Sequence, residues 1–418
     1  MLAEIICIGD ELLIGQTINT NAAWLGDALN RSGIQVQRVH TISDDPQAIL
    51  SMVDECLLRS QVVVMTGGLG PTKDDLTKHT LCDYFGSHLV MNNEALERIE
   101  SFMRVRQLPI LEVNRQQAAL PHNCRVIQNY KGTACGMWFE KNGHVLVSMP
   151  GVPYEMQAMM SEEVIPSLQS KFALPHITHR TLLTMGVGES FLAEQIADWE
   201  NSLAAADIKL AYLPSPGSVK LRMSHYGGGD SAAVAEHFAR KESELRQLIG
   251  DCIYGQENDT IAGVVGQLLR DRNLTLATAE SCTGGHVGHL LTSIPGSSAY
   301  YKGGMITYTN AIKTAQLGVP EEEIAQFGVV SNEIATAMAQ QIRKKFSADF
   351  GIGITGIAGP DGGSEATPVG TVCISVSSSY GEFVKKEVLG RSRERTIQVA
   401  SHFALNYLRK EILRTDAC

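Results

Sequence analysis

The chain has 418 residues, more than a single hydrophobic core usually organises, so more than one domain is expected. Hydrophobic residues make up 44% and charged residues 19%, with 39 glycines, which excludes a disordered or fibrous chain and suits a soluble α/β protein. The formal net charge of -10 argues against direct nucleic-acid binding, which is dominated by phosphate neutralisation, although backbone N–H groups and a few placed cations can still hold small anions.

The opening MLAEIICIGDELLIGQ has neither the basic region nor the apolar run of a secretory signal, and no later stretch is apolar over the length of a membrane span. A cytoplasmic protein without membrane contact is expected. The nine cysteines show no CxxC spacing and suggest reduced, mostly buried thiols.

From the start, AEIICIGDEL suggests a strand entering a turn, and NAAWLGDALNRSG an amphipathic helix ending at Gly33. IQVQRVHTIS is a second strand, leading to Asp44 and Asp45 before a helix from Pro46, and VVVMTGG is a strand buried on both faces. This βαβαβ pattern predicts a mostly parallel sheet with helices on both faces over residues 1–165. Ligands of such sheets gather beyond the carboxyl ends of strands, where Gly9 to Glu11, Asp44 and Gly67 to Asp75 fall. Gly67, Gly68 and Gly70 would let the backbone approach a phosphate, and Asp44, Asp74 and Asp75 could hold a divalent cation beside it. A tight strand-to-helix connection with an aspartate cap fits the same residues.

Residues 166–255 predict a small α+β connector domain: HRTLLTMGV, a helix through ESFLAEQIADW, KLAYLP and SVKLRMS joined by the turn Pro214 to Gly217, and a helix from about Ser231. A separate C-terminal α/β sandwich is expected over 256–418. It opens with Ile261, Val264, Val265, Leu268 and Leu269 at helical spacing, and LTLATAES follows as a strand entering a helix. Later elements are ITYTN, a helical stretch from about Ser331, the strands DFGIGITG and GTVCISVSS, and the last helix, TIQVASHFALNYLRKEI.

Ser281 stands between a strand and a glycine-containing helix start, where the backbone N–H groups of Cys282, Thr283 and Gly284 could stabilise an oxyanion. Taken alone, the same placement of Ser281 fits a helix cap better, serine being among the commonest cap residues. None of the 12 histidines forms an obvious triad with it, His286 and His289 suggesting helix-face residues, so a lysine is the alternative base. Tyr308 and Lys313 follow downstream, and Lys313 can serve only if burial or a nearby positive charge keeps it neutral; the plain alternative is a solvated helix residue. In GIGITGIAGPDGG the loop after the strand, including Gly356, could form an anion nest, with Thr355 adding a hydroxyl and Arg395 a charged fork. Turn structure alone, and a solvated run at Arg391, Arg393 and Arg395, are the plain alternatives.

GDELLIGQTINTN, the aspartates near 44, GGLGPTKDDLT, NRQQAALP and MPGVPYEM together resemble the molybdopterin-binding-like domain of the competence/damage-inducible protein A (CinA) family. AESCTGG, TYTNAIK, GVVSNEIA, GITGIAGPDGG and PVGTV resemble that family's nicotinamide-nucleotide amidase domain, from about 260 to the end. The second resemblance implies Ser281 as nucleophile, Tyr308 and Lys313 as its catalytic partners, and Thr355 and Arg395 as substrate-binding residues. The first implies acidic active-site residues at Asp44 and Asp75, and metal-dependent ADP-ribose pyrophosphatase activity. Cys135 stands where the family commonly has proline, and Thr367 where it often has lysine.

The expected function is hydrolytic deamidation of nicotinamide mononucleotide to nicotinate mononucleotide and ammonia, in pyridine nucleotide recycling, with ADP-ribose hydrolysis as a second activity. No cofactor is expected for deamidation; a divalent cation (magnesium, manganese or cobalt), with potassium as a further candidate, is expected for the N-terminal site. A homodimer is expected. The competing readings are an N-terminal module that only binds a nucleotide or pterin, and an adaptor in competence or DNA repair.

Overall fold

The computed structural model describes residues 1–72, 75–175, 177–227 and 231–414, so Asp74, one of the expected metal ligands, lies outside the described residues. The chain forms two compact units, Met1–Thr178 with His225–Val234, and His179–Ser224 with the chain from Ala235 onward.

In the first unit β1 (Leu2–Ile8), β2 (Gln35–Ile42) and β3 (Val62–Thr66) are followed by a two-stranded ribbon of β4 (Leu89–Met91) and β5 (Ala119–Pro121). Then come β6 (Arg125–Ile127), β7 (Gly136–Lys141) and β8 (His144–Met149). The main sheet runs β2-β1-β3-β8-β7-β6; its first four strands are parallel, and the hairpin through β8, β7 and β6 closes it antiparallel. Alternate residues feed two cores: Ile6, Ile8, Val63 and Met65 pack on one face, and Ile5, Cys7, Val62 and Val64 on the other.

The two adjacent aspartates separate by role. Asp45 caps the helix Pro46–Arg59, accepting from the N–H groups of Gln47 and Ala48, while Asp44 is left at the sheet edge. Glu4, mid-strand in β1, is buried. Its carboxylate accepts from Arg59 at both oxygens (3.2 and 3.1 Å) and from Ser60 and Gln37, and contacts His40 and Cys56. Both oxygens being occupied by a guanidinium, this is a buried charge network rather than a metal centre.

In the second unit β9 (Thr178–Met185, whose first residue falls in the other unit), β10 (Lys209–Ser215), β11 (Ser218–His225, whose last residue does too) and β12 (Ile253–Gln256) form a sheet of order β10-β11-β9-β12. β13 (Leu276–Glu280), β14 (Tyr301–Ile306), β15 (Phe350–Gly356), β16 (Thr371–Ser378) and β17 (Gly381–Val388) form another, β14-β13-β15-β16-β17. β13 is an interior strand, parallel to β14 and β15. The expected element at ITYTN is corrected: the strand lies earlier, in YKGGMI, and Thr307 to Thr309 form the loop after it. β17 was not foreseen, because as a largely exposed edge strand it lacks apolar alternation.

Candidate functional site

β13 is buried along its whole length, and Ser281 is the first residue beyond the carboxyl end of this interior strand. Its N–H donates to Ile354 O (3.0 Å) and the residue is 7% exposed. The expected direct entry into a helix is corrected. The helix His286–Thr292 starts after a turn, and its N-cap is Gly285 rather than Ser281. Gly284 and Gly285 hold φ of 62° and 97°, a left-handed pair that favours glycine. The capping is done by Glu280, whose carboxylate accepts the N–H groups of Gly285 (3.0 Å), Val287 (3.1 Å) and Gly288 (2.8 Å).

Of the three expected oxyanion donors, Gly284 is committed, since its N–H donates to Ser281 O (3.1 Å). The N–H groups of Cys282 and Thr283 meet no oxygen acceptor among the described residues.

Lys313 follows a short helical turn, Asn310–Ile312, capped by the Thr309 hydroxyl. It is 1% exposed rather than solvated. Its Nζ donates to Thr307 O (2.9 Å) and lies 3.0 Å from Ser281 Oγ. Thr307 N–H in turn donates to Glu280 O (2.7 Å), so the nucleophile and the amine hang from adjacent backbone groups. Burial lowers the Lys313 pKa from the usual 10.5, with Cys282 pulling weakly the other way. Of the two causes offered by the sequence, burial is the one present, and no nearby cation contributes to the shift among the described residues.

Other expected residues are placed differently. Tyr308 is 55% exposed, and its hydroxyl accepts from Arg393 Nη2 (2.9 Å) rather than hydrogen-bonding Ser281 or Lys313. Thr355 is buried and its hydroxyl donates to Val329 O (2.8 Å), so that hydrogen is used within the fold. A Cβ at Gly356 would lie 2.7 Å from Thr371 O, a close backbone approach. Arg393, outside the expected set, hydrogen-bonds in this region, whereas Arg395 does not among the described residues. Arg393 donates to Gly359 O (3.0 Å) in the GIAGP loop and to Tyr308, and with His286 and Ile397 it lines a shallow hollow of about 480 Å³. Both partners are neutral, leaving its charge available to an anion. Glu280, Thr307 and Arg393 were missed as site residues. A carboxylate ahead of a helix start and the visible arginine run were the available signals.

The first unit has a cavity of about 370 Å³ at the sheet edge, lined by Glu11, Asp44, Gly67, Gly68, Gly70, Asp75, Gln117 and Glu155 among others. Gly67 and Gly68 are left-handed, and a Cβ would sit 2.2 Å from Ile8 O at the first and 2.1 Å from Thr77 Oγ1 at the second, so the turn needs both. Burial raises the Asp44 carboxyl above its ordinary pKa, and the charges of Asp10, Glu11 and Asp75 add to that, outweighing the Asp10 N–H it accepts. Asp75 accepts from the N–H (2.9 Å) and hydroxyl of Thr72. Gln117 is buried, and both its amide atoms lack a hydrogen-bond partner among the described residues. The raised Asp44 carboxyl beside these acidic neighbours would favour a hard divalent cation, although among the described residues no three of these carboxylates bring ligand oxygens within 4.8 Å of one another. Cys135, at the departure from the family pattern, is buried in the core on one face of this sheet. Thr367, the other departure, donates its N–H to Ser364 Oγ (3.1 Å).

Among the described residues no helix is long and apolar enough to cross a membrane. Three family models match along the chain. They are described as "Probable molybdopterin binding domain" at residues 4–170, "Damage-inducible protein CinA KH domain" at 179–255 and "CinA C-terminal domain" at 258–412. A CinA-like protein of Cytophaga hutchinsonii is 45% identical, covering 98% of this chain and 98% of its own. Another, of Flavobacterium psychrophilum, is also 45% identical, with 99% of each chain covered. A crystal structure titled as the protein CinA with unknown function, from Thermoplasma acidophilum, is 36% identical at a TM-score of 0.36, covering 39% of this chain and 97% of that one.

Proposed function

Because the chain belongs to the CinA family, with its molybdopterin-binding-like and C-terminal domains, we propose that its C-terminal site hydrolyses the carboxamide of nicotinamide mononucleotide, releasing ammonia. The observation that carries the proposal is the buried lysine amine 3.0 Å from Ser281 Oγ. In the reaction Ser281 Oγ attacks the amide carbon while the neutral amine of Lys313 takes its proton, and the proton then passes to the departing ammonia. The oxygen that becomes anionic faces the N–H groups of Cys282 and Thr283. Water hydrolyses the resulting ester with Lys313 again as base. Arg393, which makes no ion pair among the described residues, would hold the anionic nucleotide end. Ammonia release from nicotinamide mononucleotide by the purified protein, and its loss in a folded Ser281→Ala variant, tests this. Near-normal release by that variant would rule out the serine mechanism.

A second activity in the first unit is favoured by the Asp44 environment. Asp44 and Asp75 would hold a divalent cation, which would supply charge neutralisation at the pyrophosphate of ADP-ribose, while the turn at Gly67 and Gly68 admits the phosphates to the backbone. Asp75→Asn should abolish metal-dependent ADP-ribose hydrolysis and spare ammonia release. Hydrolysis that persists in that variant would move the site elsewhere.

A further inference from the structure

Glu280 is buried and forms no ion pair with lysine or arginine among the described residues, yet it keeps a carboxylate where a neutral cap would satisfy a helix end. Desolvating such a group is costly unless hydrogen bonds compensate, and here three N–H groups do so: Oε2 accepts from Gly285 and Val287, and Oε1 from Gly288. The segment being tied is the one least able to hold itself. Gly284 and Gly285 occupy consecutive left-handed conformations, and glycine moves freely among alternatives.

We infer that Glu280 is a positioning residue for the serine chemistry, its carboxylate fixing the loop that aims Ser281 Oγ and selects the two amides left to receive an oxyanion. The inference rests on the serine reading proposed above. The selection follows from counting donors. Gly285, Val287 and Gly288 give their N–H groups to Glu280 and Gly284 gives its own to Ser281 O, so Cys282 and Thr283 retain theirs beside the nucleophile. The same residue reaches the base by a different route: its backbone carbonyl holds Thr307, and the Thr307 carbonyl holds Lys313 Nζ. Side-chain replacement should therefore disturb the nucleophile loop and leave the lysine in place.

Glu280→Gln separates these effects. The carboxamide keeps one acceptor oxygen and turns an NH2 group toward amides that are themselves donors. Three measurements on the full chain decide the matter: hydrogen exchange at the amides of 285, 287 and 288, the rate at which a fluorophosphonate labels Ser281 at several pH values, and ammonia release from nicotinamide mononucleotide. The expected result is faster exchange at those amides and labelling and kcat lower by on the order of 100-fold, the scale of losing an oxyanion donor, with KM little changed and the pH midpoint of labelling unmoved. Labelling at the wild-type rate, unchanged protection of the three amides, or a moved pH midpoint would overturn the inference. The last outcome would place Glu280 on the base. A wild-type protein that labels at Ser281 but releases no ammonia would refute the amidase reading while the exchange and labelling comparison still judged Glu280. If Glu280→Gln does not fold, Glu280→Asp, with the charge retained one methylene short, is put to the same measurements and should show the same losses in smaller degree.

Discussion

A lysine with an ordinary pKa keeps its proton at neutral pH and cannot serve as a base. Lys313 escapes this through burial, and its neutral amine can donate to Thr307 O while accepting from Ser281 Oγ. The sign follows: activity needs the deprotonated amine, so kcat/KM should rise with pH and level off above a midpoint lying below 10.5. Lys313→Arg and Lys313→Met should both lose several orders of magnitude in ammonia release, because guanidinium cannot give up its proton and methionine has none to exchange. Substantial turnover by Lys313→Arg would mean that the position supplies charge only. The two arginines provide a second residue-level test. Both are exposed, but Arg393 hydrogen-bonds Tyr308 and Gly359 O whereas Arg395 has no hydrogen bond among the described residues. Arg393→Ala should raise KM by roughly 10- to 100-fold, the worth of a charged hydrogen bond, and Arg395→Ala should leave it nearly unchanged. Equal effects of the two on KM would contradict this assignment.

At the scale of elements, the glycines of GIGITG have a role the motif alone did not disclose. A Cβ at Gly351 would lie 2.2 Å from Ala339 O, and one at Gly353 would lie 2.2 Å from Ala335 O. Residues two apart on β15 thus meet residues four apart on the helix Asn332–Lys345, whose rise over that distance is nearly the same. These two glycines serve close helix-to-strand packing rather than anion binding. Gly353→Ala should destabilise the second unit by about 1–3 kcal/mol or more, seen as a lower unfolding midpoint, since backbone rather than a flexible side chain must yield. An unchanged midpoint would show that the helix does not press on the strand. The nucleophile loop carries the same lesson. AESCTGG marked the turn, but the sequence could not distinguish a serine cap from a glutamate cap, because the choice depends on where the helix begins.

At the scale of the whole molecule, the Glu4 network makes the first unit sensitive to acid. Burial pushes this carboxyl up, but hydrogen bonds from Arg59, His40, Cys56 and Ser60 outweigh it and hold the pKa at about 2, against an ordinary 4.5. A depressed folded-state value adds stability above the ordinary pKa and loses it as pH falls from there toward the folded value. The amount is on the order of 3 kcal/mol, and Glu4→Gln should flatten that acid limb in a pH series of chemical denaturation. An identical acid limb in the variant would show that the network does not govern it. What the sequence determined by itself was local and periodic: the buried strands, the strand-to-loop punctuation that put both candidate sites at sheet edges, and the motifs that marked Asp44, Asp75, Ser281 and Lys313 as candidates. These depend on residue spacing along a single strand or turn. What only the tertiary structure decided was which groups meet across distant segments. Lys313 reaches Ser281 from beyond another strand, Arg393 rather than Arg395 reaches Tyr308, the Thr355 hydroxyl turns to Val329, and Glu280 takes three amides of the loop. Such pairings depend on helix starts and on side-chain direction after packing, and a change of one residue in either moves a side chain to another face.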